Sequence, residues 1–115
     1  MALEVLRTAE TLLALEVFLE KNRPDESVRN QVDVGYRIDN QSVLIYDIRA
    51  DWRDKDKKIE RPIAKATWVK TQEVWKVYWM RGDLKWHGYE PLAQVDTIDA
   101  FLNAVDEDEF GCFWG

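Results

Sequence analysis

With 115 residues, 46% hydrophobic and 33% charged, the chain is long enough for one domain with its own core and too apolar to be disordered. Its 16 bases against 22 acids, a formal net charge of −6, argue against a protein that holds duplex DNA by neutralising phosphates. The one cysteine, Cys112, excludes an intrachain disulfide and fits a reducing, cytoplasmic setting.

The first 21 residues have helical periodicity. At about 100° per residue, Val5, Leu6, Ala9, Leu12, Leu13, Val17 and Leu19 share a broad apolar face, with Arg7, Thr8 and Thr11 opposite. Two residues break the pattern: Glu16 falls within the apolar face and Phe18 on the polar one. A glutamate so placed near a helix end is expected to reach out to water. Glu10, Glu16 and Glu20 interrupt the segment and no basic stretch precedes it, so neither a signal peptide nor a membrane span is expected. Asn22 and Pro24 end the helix, and a polar loop runs to about residue 30.

The period then changes to two. Val32, Val34, Tyr36 and Ile38 alternate with Asp33, Gly35 and Arg37, and Asp39-Asn40-Gln41 is turn chemistry. The following strand carries Leu44, Tyr46, Ile48, Ala50 and Trp52 on one face and Val43, Ile45, Asp47, Arg49 and Asp51 on the other. Residues 53–60 are almost all charged and predict a solvated hairpin end or loop. A third strand is expected from about Ile63 to Lys70, a fourth from about Glu73 to Met80, and a short fifth from Leu84 to Tyr89, which Pro91 stops. A second helix follows Val95, with Asp96 or Thr97 as N-cap and Ile98, Phe101, Leu102 and Val105 on one side. It should end near residue 106, before the acids oppose its dipole. The tail from Phe110 to Gly115 is apolar enough to dock on the body or add an edge strand.

A helix, five strands, a helix and a tail read as a single α+β domain over residues 1–115: a five-stranded antiparallel meander with both helices on one sheet face. Large aromatics should then remain on the uncovered face, as an interface or ligand platform.

The densest chemistry lies between Trp75 and Pro91, W-K-V-Y-W-M-R-G-D-L-K-W-H-G-Y-E-P, which holds three of the six tryptophans and the only histidine. Residues 61–91 carry six bases and three acids; residues 92–115 carry no base and six acids. Trp68, Trp75, Lys76, Trp79, Arg81, Lys85, Trp86, His87 and Tyr89 are the candidate binding residues, because aromatic sheet residues beside bases can stack planar groups. No glycine-aromatic RNA-binding motif is present, and the acidic tail opposes nucleic acid; its acids are expected to pair with the basic sheet half, in the same chain or a second subunit. Asp83, Lys85 and His87 are the catalytic candidates: with Asp47 or Asp51, Asp83 could hold a cation while Lys85 steadies a water, as in a metal-dependent nuclease, or His87 could act as a general base. Against this stands the plainer reading of His87 as a structural histidine and Asp83 as a turn residue. One His and one Cys do not make a structural zinc set, and no acid spacing resembles a calcium loop, so no metal and no cofactor is expected.

The R-x-D-L-K-W-H-x-Y-x-P pattern from Arg81 to Pro91 and the closing Gly111-Cys112-Phe113-Trp114-Gly115 resemble a family of short bacterial proteins, the domain of unknown function numbered three thousand and twenty-four. The resemblance covers the last third to half of the chain. It implies a bacterial source and carries over no catalytic residue. The expectation is therefore a cytoplasmic, non-enzymatic binding or interaction domain that works through a basic-aromatic sheet face. It should self-associate through that face or the tail. A hydrolase centred on Asp83, Lys85 and His87, and a single-stranded nucleic-acid binder, are the alternatives.

Overall fold

The structure, a computed structural model, describes residues 3–114. In chain order it contains α1 (Val5–Asn22), β1 (Val32–Asp39), β2 (Ser42–Ala50), β3 (Lys58–Val69), β4 (Val74–Met80), β5 (Trp86–Gly88), β6 (Gln94–Val95) and α2 (Ile98–Glu107), with single 3-10 turns at Glu26–Val28 and Glu90–Leu92. The sheet is an antiparallel meander in the order β1-β2-β3-β4-β5, as the alternating periods predict. Two details depart from expectation. The charged stretch from Lys58 to Glu60 continues β3, because β2 is long enough to pair with it. The edge of β4 is shared: β5 pairs with its far end and the unpredicted β6 with Trp75 and Lys76. Between them the 3-10 turn lifts the chain away, and the Val77 amide donates instead to the Ala93 carbonyl.

Register sorts the side chains. Val43, Ile45, Ala64, Ala66, Trp68, Trp75 and Val77 face one way and are buried under the helices. Trp68 and Trp75 pack with ring centroids 5.3 Å apart. Ile98, Phe101, Leu102 and Val105 of α2 complete this core, as their spacing predicts. Thr97 is the cap, its hydroxyl accepting the Ala100 amide, and Asp108 ends the helix in a left-handed conformation. The tail docks without forming a strand. Its Phe113 ring lies 4.7 Å from Tyr89, the Trp114 indole donates to the Val105 carbonyl, and the Asp108 carboxylate accepts the amides of Phe113 and Trp114 at 3.0 Å each.

The setting of α1 reverses the expectation. Thr11, Leu15 and Phe18 are its buried residues, whereas Val5, Leu6, Leu12, Leu13 and Val17 are exposed. The two residues that broke the apolar face decide the rotation. Turning that face inward would bury Glu16, which instead stays exposed and accepts the Tyr36 hydroxyl at 2.8 Å. The opposite face can be buried cheaply. The Thr11 hydroxyl donates to the Arg7 carbonyl at 2.7 Å, and Arg7 lays its guanidinium over the Trp68 ring at 4.0 Å while keeping contact with water.

Candidate functional site

The face of the sheet away from the helices is lined by half-buried side chains, with exposed Arg37 at its edge. Arg37, Leu44, Lys65 and Tyr78 form one row across β1 to β4; Tyr46 on β2 and the Met80–Trp86 pair on β4 and β5 lie beside it. Gly35 and Gly88 leave the ends of these rows without side chains. The rings hold cations over their faces: Arg37 lies over Tyr46 at 4.9 Å, and the Lys65 ammonium sits 4.8 Å from the Tyr78 ring and 5.0 Å from that of Trp86. The two cations differ in one respect. Arg37 is paired with Glu60, whereas Lys65 has no carboxylate and no hydrogen-bond partner among the described residues. Burial therefore lowers the Lys65 pKa, with no counter-charge to hold it up.

A second concave site opens at the sheet edge on the helix-covered side. It is a cleft of about 500 Å³ whose lining includes Trp79, Arg81, His87, Tyr89, Glu90 and Cys112. The Arg81 guanidinium reaches over the Trp79 ring at 5.4 Å. His87 lies opposite Trp79 and its Nε2 is 2.8 Å from Asp83 Oδ2, closing the β4–β5 turn; the other Asp83 oxygen accepts the Lys85 amide. The bond to His87 is the first cause that holds the Asp83 carboxyl below its usual range, the Lys85 amide the second. Burial pushes up the Cys112 thiol, so it stays protonated at neutral pH and is not an activated nucleophile.

The predicted site residues thus fall into three groups. Trp68, Trp75 and Tyr89 are buried, Trp75 with 1% exposure, and of the three only Tyr89 also borders the edge cleft. Trp79, Arg81 and His87 line the edge cleft, with Lys85 exposed in the turn beside it. Only Lys76 and Trp86 lie on the open face. Asp83 and His87 meet, but Asp47 and Asp51 are occupied elsewhere. Asp47, 7% exposed, accepts from Arg49 and Arg61, and Asp51 accepts the Arg53 amide. Among the described residues no group of three His, Cys, Asp or Glu is placed to hold a metal ion. Within the chain, no tail acid pairs with the sheet among the described residues: Asp106 pairs with Lys21 of α1, and Asp108 is taken up by the tail backbone.

Tyr46 and Lys65 were missed as a unit because they lie on neighbouring strands, and only register brings them to one face. The period-two alternation of β2 did place Tyr46 beside Leu44 and Ile48. The turn that carries the R-x-D-L-K-W-H pattern is itself unusual, with Leu84 at φ 61, a left-handed conformation that favours glycine. The family model for a domain of unknown function, DUF3024, matches residues 4–115. The chain belongs to this family. The match extends the resemblance of the C-terminal half to nearly the whole fold, so α1 and the open sheet face are part of the family's domain rather than additions to it. No curated protein and no solved structure matches the chain. Among the described residues, no helix is long and apolar enough to cross a membrane.

Proposed function

We propose that the protein is a non-enzymatic binding module of the cytoplasm whose working surface is the open sheet face, and that its partner is anionic. The observation that carries this reading is Lys65, a half-buried ammonium between two rings with no counter-charge of its own. Holding an unpaired cation in a partly desolvated place costs stability, and a bound carboxylate or phosphate offsets that cost. Tyr46, Tyr78 and Trp86 supply flat apolar surface around it, the composition of an interface centre with a polar rim. The same geometry supports single-stranded nucleic acid as the form the anion takes, since bases stack on exposed sheet rings while phosphates reach the lysine. The hydrolase reading ranks below both, because the carboxylates it needs are engaged in the β4–β5 turn and with arginines.

The test follows the Trp86 indole resonance during titration with single-stranded oligothymidine or polyglutamate at low and high salt. A saturable shift that weakens with salt is expected. Lys65→Met should lower the affinity at least about tenfold, the loss of one charge-assisted contact. The same variant should leave the free protein as stable as the parent or more so, by about 0.5–1 kcal/mol. A response to oligothymidine alone selects the nucleic-acid form, and a response to polyglutamate alone selects an acidic protein segment. No shift with either at low salt, or equal affinity of Lys65→Met and the parent, would refute the proposal.

A further inference from the structure

Exposed hydrophobic side chains gather on the outward face of α1. Val5, Leu6, Leu12, Leu13 and Val17 are exposed along it, with exposures from 40% to 86%, and exposed Ala9 lies among them. Among the described residues these are five of the eleven large exposed hydrophobic residues, gathered on one element. The helix has 18 residues and so runs about 27 Å; its outward strip offers roughly 300 Å². That is the size of the largest apolar patch an ordinary soluble monomer carries, and such patches are often functional.

We infer that this face pairs with α1 of a second copy of the chain, antiparallel and across a twofold axis. The pattern is complementary to itself in that direction. Setting Ala9 against Leu13 of the partner brings a small residue opposite a large one, twice by symmetry, and sets Val5 against Val17 at both ends. Charge selects the same direction. Glu16 and Glu20, the acids within the strip, both lie in its C-terminal half. The first turn carries no acid, and the Glu4 side chain does not cap it, so among the described residues no side chain meets its amides or the positive end of the helix dipole. An antiparallel pair sets Glu16 of each copy beside Leu6 in the first turn of the other, where its carboxylate keeps the Tyr36 hydroxyl as a donor and meets the positive end of the partner's helix dipole. A parallel pair would oppose Glu16 to Glu16 and Glu20 to Glu20. The strip is smaller than the roughly 800 Å² per partner of a stable complex, so the dimer is reversible, half-formed somewhere between about 10 µM and 1 mM.

Sedimentation equilibrium from low micromolar to about millimolar protein reads the association directly. The average mass should rise toward twice the monomer in the parent. In Leu13→Asp it should stay at the monomer value; the variant folds because Leu13 is 71% exposed. Trp86→Ala, on the opposite side of the sheet, should associate like the parent. Orientation is read by disulfide capture in a Cys112→Ala background, where an equimolar mixture of Ala9→Cys and Leu13→Cys should cross-link faster than either alone. A monomer at about 1 mM, a dimer untouched by Leu13→Asp, or a dimer abolished only by Trp86→Ala overturns the inference. Loss of association in Leu13→Asp leaves the anion-binding reading untouched, whereas a dimer abolished only by Trp86→Ala would place the interface on the open face and count against both proposals.

Discussion

Phe18→Ala and Leu13→Ala together report which way α1 faces. The residues sit five positions apart on the helix, yet Phe18 is 5% exposed and Leu13 71%. Removing a buried phenylalanine side chain loses its transfer free energy and leaves a cavity, together about 3–5 kcal/mol. Phe18 packs within the continuous core that includes Leu15, Trp68 and Phe101, whose other members are held by the sheet and α2, so little collapse can refill the space. Leu13 loses little exposed contact, and alanine is at least as good a helix former, so its replacement should change stability by no more than about 0.5 kcal/mol. Against a total of about 5–15 kcal/mol for a domain, the first change is severe and the second is silent. Urea unfolding followed by tryptophan fluorescence separates them. With a slope of about 2 kcal/mol per molar, Phe18→Ala should lower the midpoint by roughly 2 M and Leu13→Ala by less than about 0.3 M. The measurement belongs at low micromolar protein, where the proposed dimer is dissociated. A Leu13→Ala loss above about 2 kcal/mol with a Phe18→Ala loss below about 1 would mean that the helix is rotated as its hydrophobic periodicity alone suggests, and the exposed strip would vanish with it.

Two further outcomes are expected. Asp108→Ala removes the carboxylate that receives the Phe113 and Trp114 amides and leaves alanine in a left-handed conformation, which should cost about 2 kcal/mol and speed hydrogen exchange at the Trp114 indole; an exchange rate equal to the parent's would show that the tail is held by Phe113 packing alone. The fork between Arg23 and Asp33 holds the Asp33 carboxyl below its usual value near 3.8, with the arginine hydrogen bond as the leading cause. A depressed folded-state pKa contributes stability that is present above the unfolded value and lost as pH falls through the folded one. Arg23→Met should therefore be less stable than the parent at neutral pH, with the gap closing below about pH 4; a gap that persists to about pH 2 would assign the loss to packing of the arginine stem.

β1, β2 and α2 were legible because each shows one unbroken period, whereas β3, in which a bulge buries both Ile63 and Ala64, was read without its charged start, and the two-residue β6 was not seen. Val32 to Ile38 alternates cleanly, and Ile98, Phe101, Leu102 and Val105 form a single stripe, so face and element follow together. The helix α1 was legible as a helix but not in its orientation. It is apolar on most of its circumference, and the choice of buried side rested on Glu16, Thr11 and Phe18 rather than on the number of leucines. The segment from Trp75 to Pro91 gave its strands but not its chemistry. Successive residues of β4 and β5 point to opposite faces, so Trp79 and His87 went to the cleft, Lys76 and Trp86 to the open face, and Trp75 to the core. A cluster along the chain became three separate environments. Lys65 stood out only when the hairpin register set Tyr78 beside it and β5 brought Trp86 to its other side.

The two surfaces left unsatisfied lie on opposite sides of the same layered body. The sheet's covered face holds both helices, so the outer side of α1 points away from the sheet and the basic-aromatic face points the other way. Pairing through α1 would therefore leave both anion-binding faces free and set them on opposite sides of the dimer. Such a unit gains from two weak contacts only if one partner molecule can reach both faces, which excludes a small rigid ligand and favours a long flexible one. Single-stranded nucleic acid and an acidic disordered segment both meet that condition. A polymer long enough to span the dimer should bind more tightly than a short piece of the same chemistry, and Leu13→Asp should erase that difference while leaving the affinity for the short piece unchanged.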